Sequence, residues 1–323
     1  MSVLRWTALV LALLLAALVA ISVGAMSISP SDIWKAISGG PESVPVLVVR
    51  TLRLPRVALA TLVGAGLGMS GAALQGTMRN PLAEPYLLGV SGGAAVGAVV
   101  ATMLGFGTAF VPLAAFAGSI VAVLAAFFVA HTAGSRGDPR VLLMAGVVVG
   151  AFANAAIMVV LANAEPNIVR NALWWMMGSV AEGSWPQIAV LLGYLVAGGG
   201  VLVVIANQID VLSLGEESAA ALGLDVDRAI QRVFILSSLI AAATVAAAGL
   251  IGFVGLVVPH LVRAGGVRRS RPLLVGSAIV GATLVVLADL LGRILRPPAE
   301  LPLGAVTALI GVPFFLSKLR RLV

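Results

Sequence analysis

A small-residue apolar run that follows Arg56 stops at Thr77-Met-Arg-Asn-Pro-Leu-Ala-Glu-Pro-Tyr-Leu-Leu-Gly-Val-Ser-Gly-Gly93, and the apolar pattern then resumes. The interruption places two prolines and several polar groups between stretches that otherwise read as membrane spans. In hydrocarbon, backbone N–H and C=O groups must be satisfied by protein or by water in a cavity. Irregular backbone at that depth therefore points to a solute pathway, for which a plain anchor has no use.

Of the 323 residues, 60% are hydrophobic and only 10% are charged, whereas soluble domains carry about 25% charge. The chain is read as an all-α polytopic membrane protein, a single domain over 1–323. Spans are expected near 4–26, 55–77, 90–107, 110–131, 140–162, 187–206, 229–249, 252–264, 272–293 and 302–317. At about 20 residues per span, about ten helices use most of this length. The eighth is short and contains Val258-Pro259-His260, so it is not expected to cross as a straight rod. The apolar run before Gly24-Ala25 is long for a signal peptide, which favours an uncleaved first helix.

With the N-terminus inside, seven of the 20 basic residues fall outside: Lys35, Arg50, Arg53, Arg56, Arg170, Arg293 and Arg296. The larger share lies on the inner side, which supports both termini inside and explains the net charge of +7 without nucleic acid. It leaves an external basic cluster that the orientation rule does not explain. There is no cysteine, and only His131 and His260 supply imidazole, so a thiolate nucleophile and a metalloenzyme centre are not expected. No Gly-Lys dipeptide occurs, which excludes a P-loop; any ATP hydrolysis belongs to another chain.

Within 55–77 small residues recur at four-residue spacing, Gly64 with Gly68 and Ala72 with Gly76, as suits close helix packing in lipid. Gln75, polar within that span, marks either a pore lining or an interhelical hydrogen bond. Asp289 should be paired, and Arg293 at i+4 is the nearest candidate; a proton relay is the sharper alternative. Trp174, Trp175 and Trp185 suit interfacial anchoring. The longest polar stretch expected inside covers about 210–228. There Gly215, Glu216 and Glu217 read as the start of a short helix and Gly223 as its stop. Its apolar residues Ala219, Leu222 and Leu224 suit a protein partner better than anionic lipid, because the stretch is acidic. The two halves also look faintly alike, Asn80-Pro81-Leu82 against Pro259-His260-Leu261.

Arg53-Leu-Pro-Arg56, Asn80-Pro-Leu-Ala-Glu-Pro85 with Leu88-Gly-Val-Ser-Gly92, Trp175-Met-Met-Gly-Ser179, Gly215-Glu216 with Leu222-Gly-Leu224, Gly252-Phe-Val-Gly-Leu-Val-Val-Pro-His260, Leu287-Ala-Asp289 and Glu300-Leu-Pro302 occur in order along the chain. Together they resemble the permeases of vitamin B12, iron–siderophore and haem ABC importers. The resemblance implies a ten-helix subunit of a bacterial inner-membrane importer, with one pathway at the interface of two permeases, either a second permease copy in a homodimer or a related permease. It also implies two cytoplasmic ATPase subunits that hold ATP-Mg, an extracytoplasmic substrate-binding protein, and no cofactor in this chain. It matches Asn80, Leu82, Gly137 and Asp138 to a cytoplasmic gate, and Gly215, Glu216, Glu217, Leu222, Gly223 and Leu224 to the ATPase-coupling segment. Arg53, Arg56, Arg293 and Arg296 would face the binding protein, although Arg53 and Arg56 could instead snorkel and Arg293 merely pair with Asp289. The chain departs from the family at Ala248-Gly-Leu250, at Arg268-Arg-Ser-Arg271 and at Gly137-Asp138.

The expected function is import of a ferric siderophore or similar chelate, with haem or vitamin B12 as alternatives. An ion-coupled secondary transporter would need more intramembrane acids, and a membrane enzyme would need a catalytic constellation that the sequence does not show.

Overall fold

The computed structural model describes residues 3–24, 26–107, 109–133, 138–297 and 299–319. The helices, in order, are α1 (Val3–Ser22), α2 (Pro30–Ser38), α3 (Val44–Thr77), α4 (Val90–Met103), α5 (Val111–Thr132), α6 (Pro139–Ala162) and α7 (Pro166–Met176). There follow α8 (Trp185–Val204), α9 (Ala206–Leu212), α10 (Glu216–Ala221), α11 (Val226–Ala248), α12 (Val254–Ala264), α13 (Ser270–Ile294) and α14 (Leu303–Leu319). No strand occurs among the described residues. The chain is an all-α polytopic membrane protein.

Among the described residues 7 helices are long and apolar enough to cross a membrane: α1, α3, α5, α6, α8, α11 and α13. The three other expected spans, 90–107, 252–264 and 302–317, hold the shorter apolar helices α4, α12 and α14. Two of these are short because they start inside the bundle. The first residue of α4, Val90, has its carbonyl 3.1 Å from Ser119 Oγ, part-way down α5. Gly255, near the start of α12, packs on Leu67 and Gly71 in the interior of α3. At 1.5 Å rise per residue neither helix spans about 30 Å of hydrocarbon.

Helix α3 begins well before the expected residue 55. Ser43 caps it, Pro45 sits in its first turn, and the backbone continues through a π turn at Val49–Arg53. That wider turn immediately precedes Pro55, whose missing N–H cannot continue the ordinary ladder.

Helices α3, α11 and α13 form the centre, with 72%, 72% and 61% of their apolar windows buried, against 17% for α1 and 22% for α6 and α8. Small residues make this centre possible. Gly64 of α3 faces Gly281 of α13, Gly68 faces the Ser277 carbonyl, and Gly71 faces Gly255 of α12. A second crossing pairs Gly93 of α4 with Gly118 of α5. Apolar side chains gain nothing by leaving lipid tails, so backbone approach and packing supply the attraction.

The non-helical segments before α4 and α12 meet in the interior. The Ile251 N–H donates to the Tyr86 hydroxyl at 3.0 Å, and Pro85 packs on Gly255. Gly249 and Phe253 both adopt positive φ, 70° and 67°, in making the second break.

Candidate functional site

The break after α3 starts at Arg79, whose φ is 50°. Asn80 then folds the chain back: its Oδ1 accepts the Leu82 N–H at 2.9 Å and its carbonyl accepts the Ala83 N–H at 3.1 Å. This places Pro81 and Leu82 on the surface, with Leu82 47% exposed, while Ala83 is buried. A short 3-10 turn, Pro85–Leu88, and Gly89 at φ 81° lead into α4. Asp138 caps α6 by accepting the Arg140 N–H at 2.8 Å. Leu142 of α6 joins Ala83 and Leu88 in one apolar cluster, so the break and the start of α6 share a core. Gly137 lies outside the described residues.

Helix α10 sits at the same end of the bundle. Gly215 adopts φ 109° before it, and Glu216 and Glu217 occupy its first turn, where the helix dipole favours acids. Gly223 at φ 82° ends it, with the Leu224 N–H returned to the Ala219 carbonyl at 3.1 Å. Of the three apolar residues expected to face a partner, Ala219 is buried, Leu224 packs partly on the core, and Leu222 projects with 66% exposure. Leu214 joins Leu222 on the exposed side. Arg79 reaches across to this helix start, its Nη1 3.3 Å from where a Cβ on Gly215 would stand. The break and the short acidic helix therefore lie close together.

At the opposite end three of the four arginines expected to face a partner are bound within the chain. Arg53, 7% exposed, donates to the carbonyls of Ile21, Ser22 and Met26 and so satisfies the last turn of α1. Arg293 donates to Ala20 O at 2.9 Å and lies 3.2 Å from Asp289 Oδ2 as an ion pair, the contact expected at i+4. Arg56 is the centre: Nε and Nη2 hold Asp289 at 3.0 and 2.8 Å, while Nη1 and Nη2 hold Glu300 at 2.9 and 2.8 Å. Arg296 is exposed. The Arg56 hydrogen bonds hold the Glu300 carboxyl below the usual carboxylate range, with burial opposing. That contact contributes at neutral pH and is lost only as pH falls through the depressed pKa.

Gln75 is 3% exposed and bonded on every side. Pro259 has no N–H to give the Gly255 carbonyl four residues earlier, and Gln75 Nε2 takes that role at 3.3 Å, with Leu256 O at 3.2 Å. Its Oε1 accepts from Arg263 Nη1 at 2.6 Å. Of the two expected possibilities, the interhelical bond is the one present. Gln75→Leu should therefore destabilise the protein by about 2–3 kcal/mol, by orphaning a buried carbonyl and a guanidinium. Thermal unfolding in nanodiscs against Gln75→Glu, which keeps the Arg263 contact, checks this; a wild-type midpoint for the leucine variant would remove the role.

Sequence reasoning quoted Tyr86 and Glu300 only within longer motifs and gave them no partner, because those partners are remote in the chain, and it passed over Asn154, which is exposed near the middle of α6. Asn154 had a readable signal, as an amide inside an apolar run.

Half-spanning helices that meet at non-helical breaks, with a short acidic helix near one break, suit a transport protein better than a plain anchor. The chain belongs to the FecCD transport family, which it matches over residues 11–321. It is 42% identical to the cobalamin import system permease BtuC of Halobacterium salinarum, over 87% of this chain and 75% of that one. It is 36% identical to the hemin transport system permease HmuU of Yersinia pestis and 35% identical to the Fe(3+)-citrate import system permease YfmE of Bacillus subtilis, each over 97% of this chain and 94% of the relative. A solved inward-facing transporter assigned to the metal-chelate ABC type superposes with a TM-score of 0.88 at 30% identity, covering 98% of both chains. The protein is thus a permease of the ABC-importer type.

Proposed function

We propose that this permease imports a ferric siderophore or similar metal chelate, working as one of two permease copies with two cytoplasmic ATPase subunits and an extracytoplasmic binding protein. Both termini lie on the cytoplasmic side of the cell membrane. The observation that supports the coupling is that Arg79 lies beside the start of α10, which brings the ATPase-facing helix close to the Asn80–Leu82 gate. ATP-Mg binding by the partner subunits would draw the two α10 helices together and shift access across the membrane. It can do so only through its differential affinity for the two states.

Exposed Asn154 supports a partner-facing or water-facing side for α6, since an amide directed into hydrocarbon is costly. Arg296 and the outer edge of Arg56 would dock the binding protein, with Arg53 and Arg293 holding the surface in shape. The 42% identity to a cobalamin permease favours vitamin B12 as the second cargo reading, and haem follows from the hemin relative.

The test is uptake into vesicles holding permease, ATPase and binding protein, with ferric siderophore, haem and cobalamin each supplied in turn. Uptake should need ATP and ignore an imposed proton or sodium gradient; gradient-driven uptake without the ATPase would refute the reading. Leu222→Asp should lower ATP-driven uptake about tenfold, as expected for loss of one interface anchor, while binding-protein docking is retained. Wild-type uptake in that variant would detach α10 from coupling.

A further inference from the structure

Arg56 is held by two carboxylates with different standing. Asp289 is 5% exposed and takes Nε and Nη2 from beneath. Glu300 takes the outward pair, Nη1 and Nη2, with one oxygen each at 2.9 and 2.8 Å, a two-point fork that any carboxylate can occupy. Its side chain is 44% exposed, against 14% for Arg56. The inner acid fixes the direction of the guanidinium, and the outer one merely closes its free edge.

Glu300 is also the residue whose release has somewhere to act. It belongs to the short link between α13 and α14, whose described residues and the start of α14 make these backbone bonds: Leu301 N–H to Gly292 O at 3.0 Å, Leu303 N–H to Gly178 O at 3.2 Å and Gly304 N–H to Met177 O at 2.9 Å. The link thus joins the end of α13, the start of α14 and the segment following α7. The two arginines, Arg56 and Arg293, are balanced by Asp289 and Glu300. A substitute carboxylate on Arg56 would keep that balance.

We propose that Glu300 is a built-in placeholder for a carboxylate of the docking partner. Binding exchanges Glu300 for an Asp or Glu of the extracytoplasmic binding protein on the outer edge of Arg56, and the exchange frees the link that leads into α14. This rests on the docking reading given above and adds an internal competitor to it. Docking is then weaker than the Arg56 fork alone would allow, by the worth of the contact that must first open. Release of the binding protein is correspondingly assisted, because Glu300 returns to the vacated edge.

The experiment has a partner-free arm and a partner arm, both on full-length permease in nanodiscs. In the first, p-hydroxyphenylglyoxal modifies accessible guanidinium groups, and the adduct at Arg56 is quantified by mass spectrometry against Arg296 as the exposed reference. Glu300→Ala should make Arg56 reactive, and Glu300→Asp, one methylene short, should do so in part; equal labelling of wild type and both variants would overturn the proposal. In the second, the transport system's own binding protein is titrated. Glu300→Ala should tighten docking about two- to fivefold, the range for a partly exposed ion pair, and the gain should vanish in an Arg56→Gln background. A gain that persists without Arg56 would reduce Glu300 to general charge repulsion and overturn the exchange, as would unchanged or weaker docking. If Arg56→Gln and Arg296→Glu both bind the partner as wild type does, the docking reading itself falls, which is a separate and recognisable result. Unfolding midpoints are recorded for every variant, and the labelling arm decides if Arg56→Gln is too unstable to titrate.

Discussion

Gly64→Leu should prevent the permease from folding into its compact bundle, and even Gly64→Ala should cost about 1–3 kcal/mol through overpacking. A Cβ at this position of α3 would enter the Gly281 carbonyl of α13, with the Gly281 C atom at 2.6 Å and Ala282 Cα at 2.8 Å. All three obstacles are backbone, so no rotamer change relieves them and the helices must separate. The contact is reciprocal, since a Cβ at Gly281 would meet the Gly64 carbonyl. Gly64→Ala and Gly281→Ala should therefore be strongly non-additive: once one methyl has parted the helices, the second finds room. Gly193 provides the contrast. It lies inside α8 with no atom within 4 Å of an added Cβ, so Gly193→Ala should be neutral or stabilise by up to about 1 kcal/mol. Thermal unfolding in nanodiscs reads the three single alanine variants and the Gly64→Ala/Gly281→Ala double, and the yield of folded protein reads Gly64→Leu. Equal midpoints for Gly64→Ala and Gly193→Ala would show that the α3–α13 crossing does not depend on backbone approach.

Much of this architecture was legible because lipid leaves few choices. Runs of apolar residues located the helices, and the small residues of 55–77 marked the packing face that meets α12 and α13. Asn80-Pro81 and Pro85 marked the break. Depth was only partly legible: the short, Pro-bearing eighth span signalled that α12 does not cross fully, whereas nothing local says that α4 begins inside the bundle, because its start follows a break set by remote contacts such as Tyr86 with Ile251. The i+4 contact of Asp289 with Arg293 could be read from spacing, whereas Arg56 lies 233 residues from Asp289 in sequence. Charge counting picked out the arginines of one end of the bundle but carried no information on burial. Arg53, which counted as an outward charge, instead serves the carbonyls of α1. Gln75 was more tractable in principle, since Pro259 necessarily frees a carbonyl four residues earlier and a buried amide nearby is a natural donor.

Asp289→Ala should be the most damaging single change to a side chain at the arginine-rich end of the bundle, destabilising by about 3–5 kcal/mol. The carboxylate is 5% exposed and stands between two largely buried guanidinium groups, so its removal leaves positive charge with too little compensation. The damage should spread to α1, because Arg293 donates to Ala20 O and Arg53 caps the neighbouring carbonyls. Hydrogen exchange in the last turn of α1 should rise before the rest of the bundle opens. Adding Arg56→Leu to Asp289→Leu should recover part of the loss, since it removes a stranded charge together with its partner. Asp289→Asn separates this structural role from a proton relay. It keeps the shape and one acceptor, so ATP-driven uptake per folded molecule should survive despite a lower unfolding midpoint, whereas a relay would lose transport at unchanged stability. A wild-type midpoint for Asp289→Ala, together with lost uptake in Asp289→Asn, would move Asp289 from scaffold to mechanism.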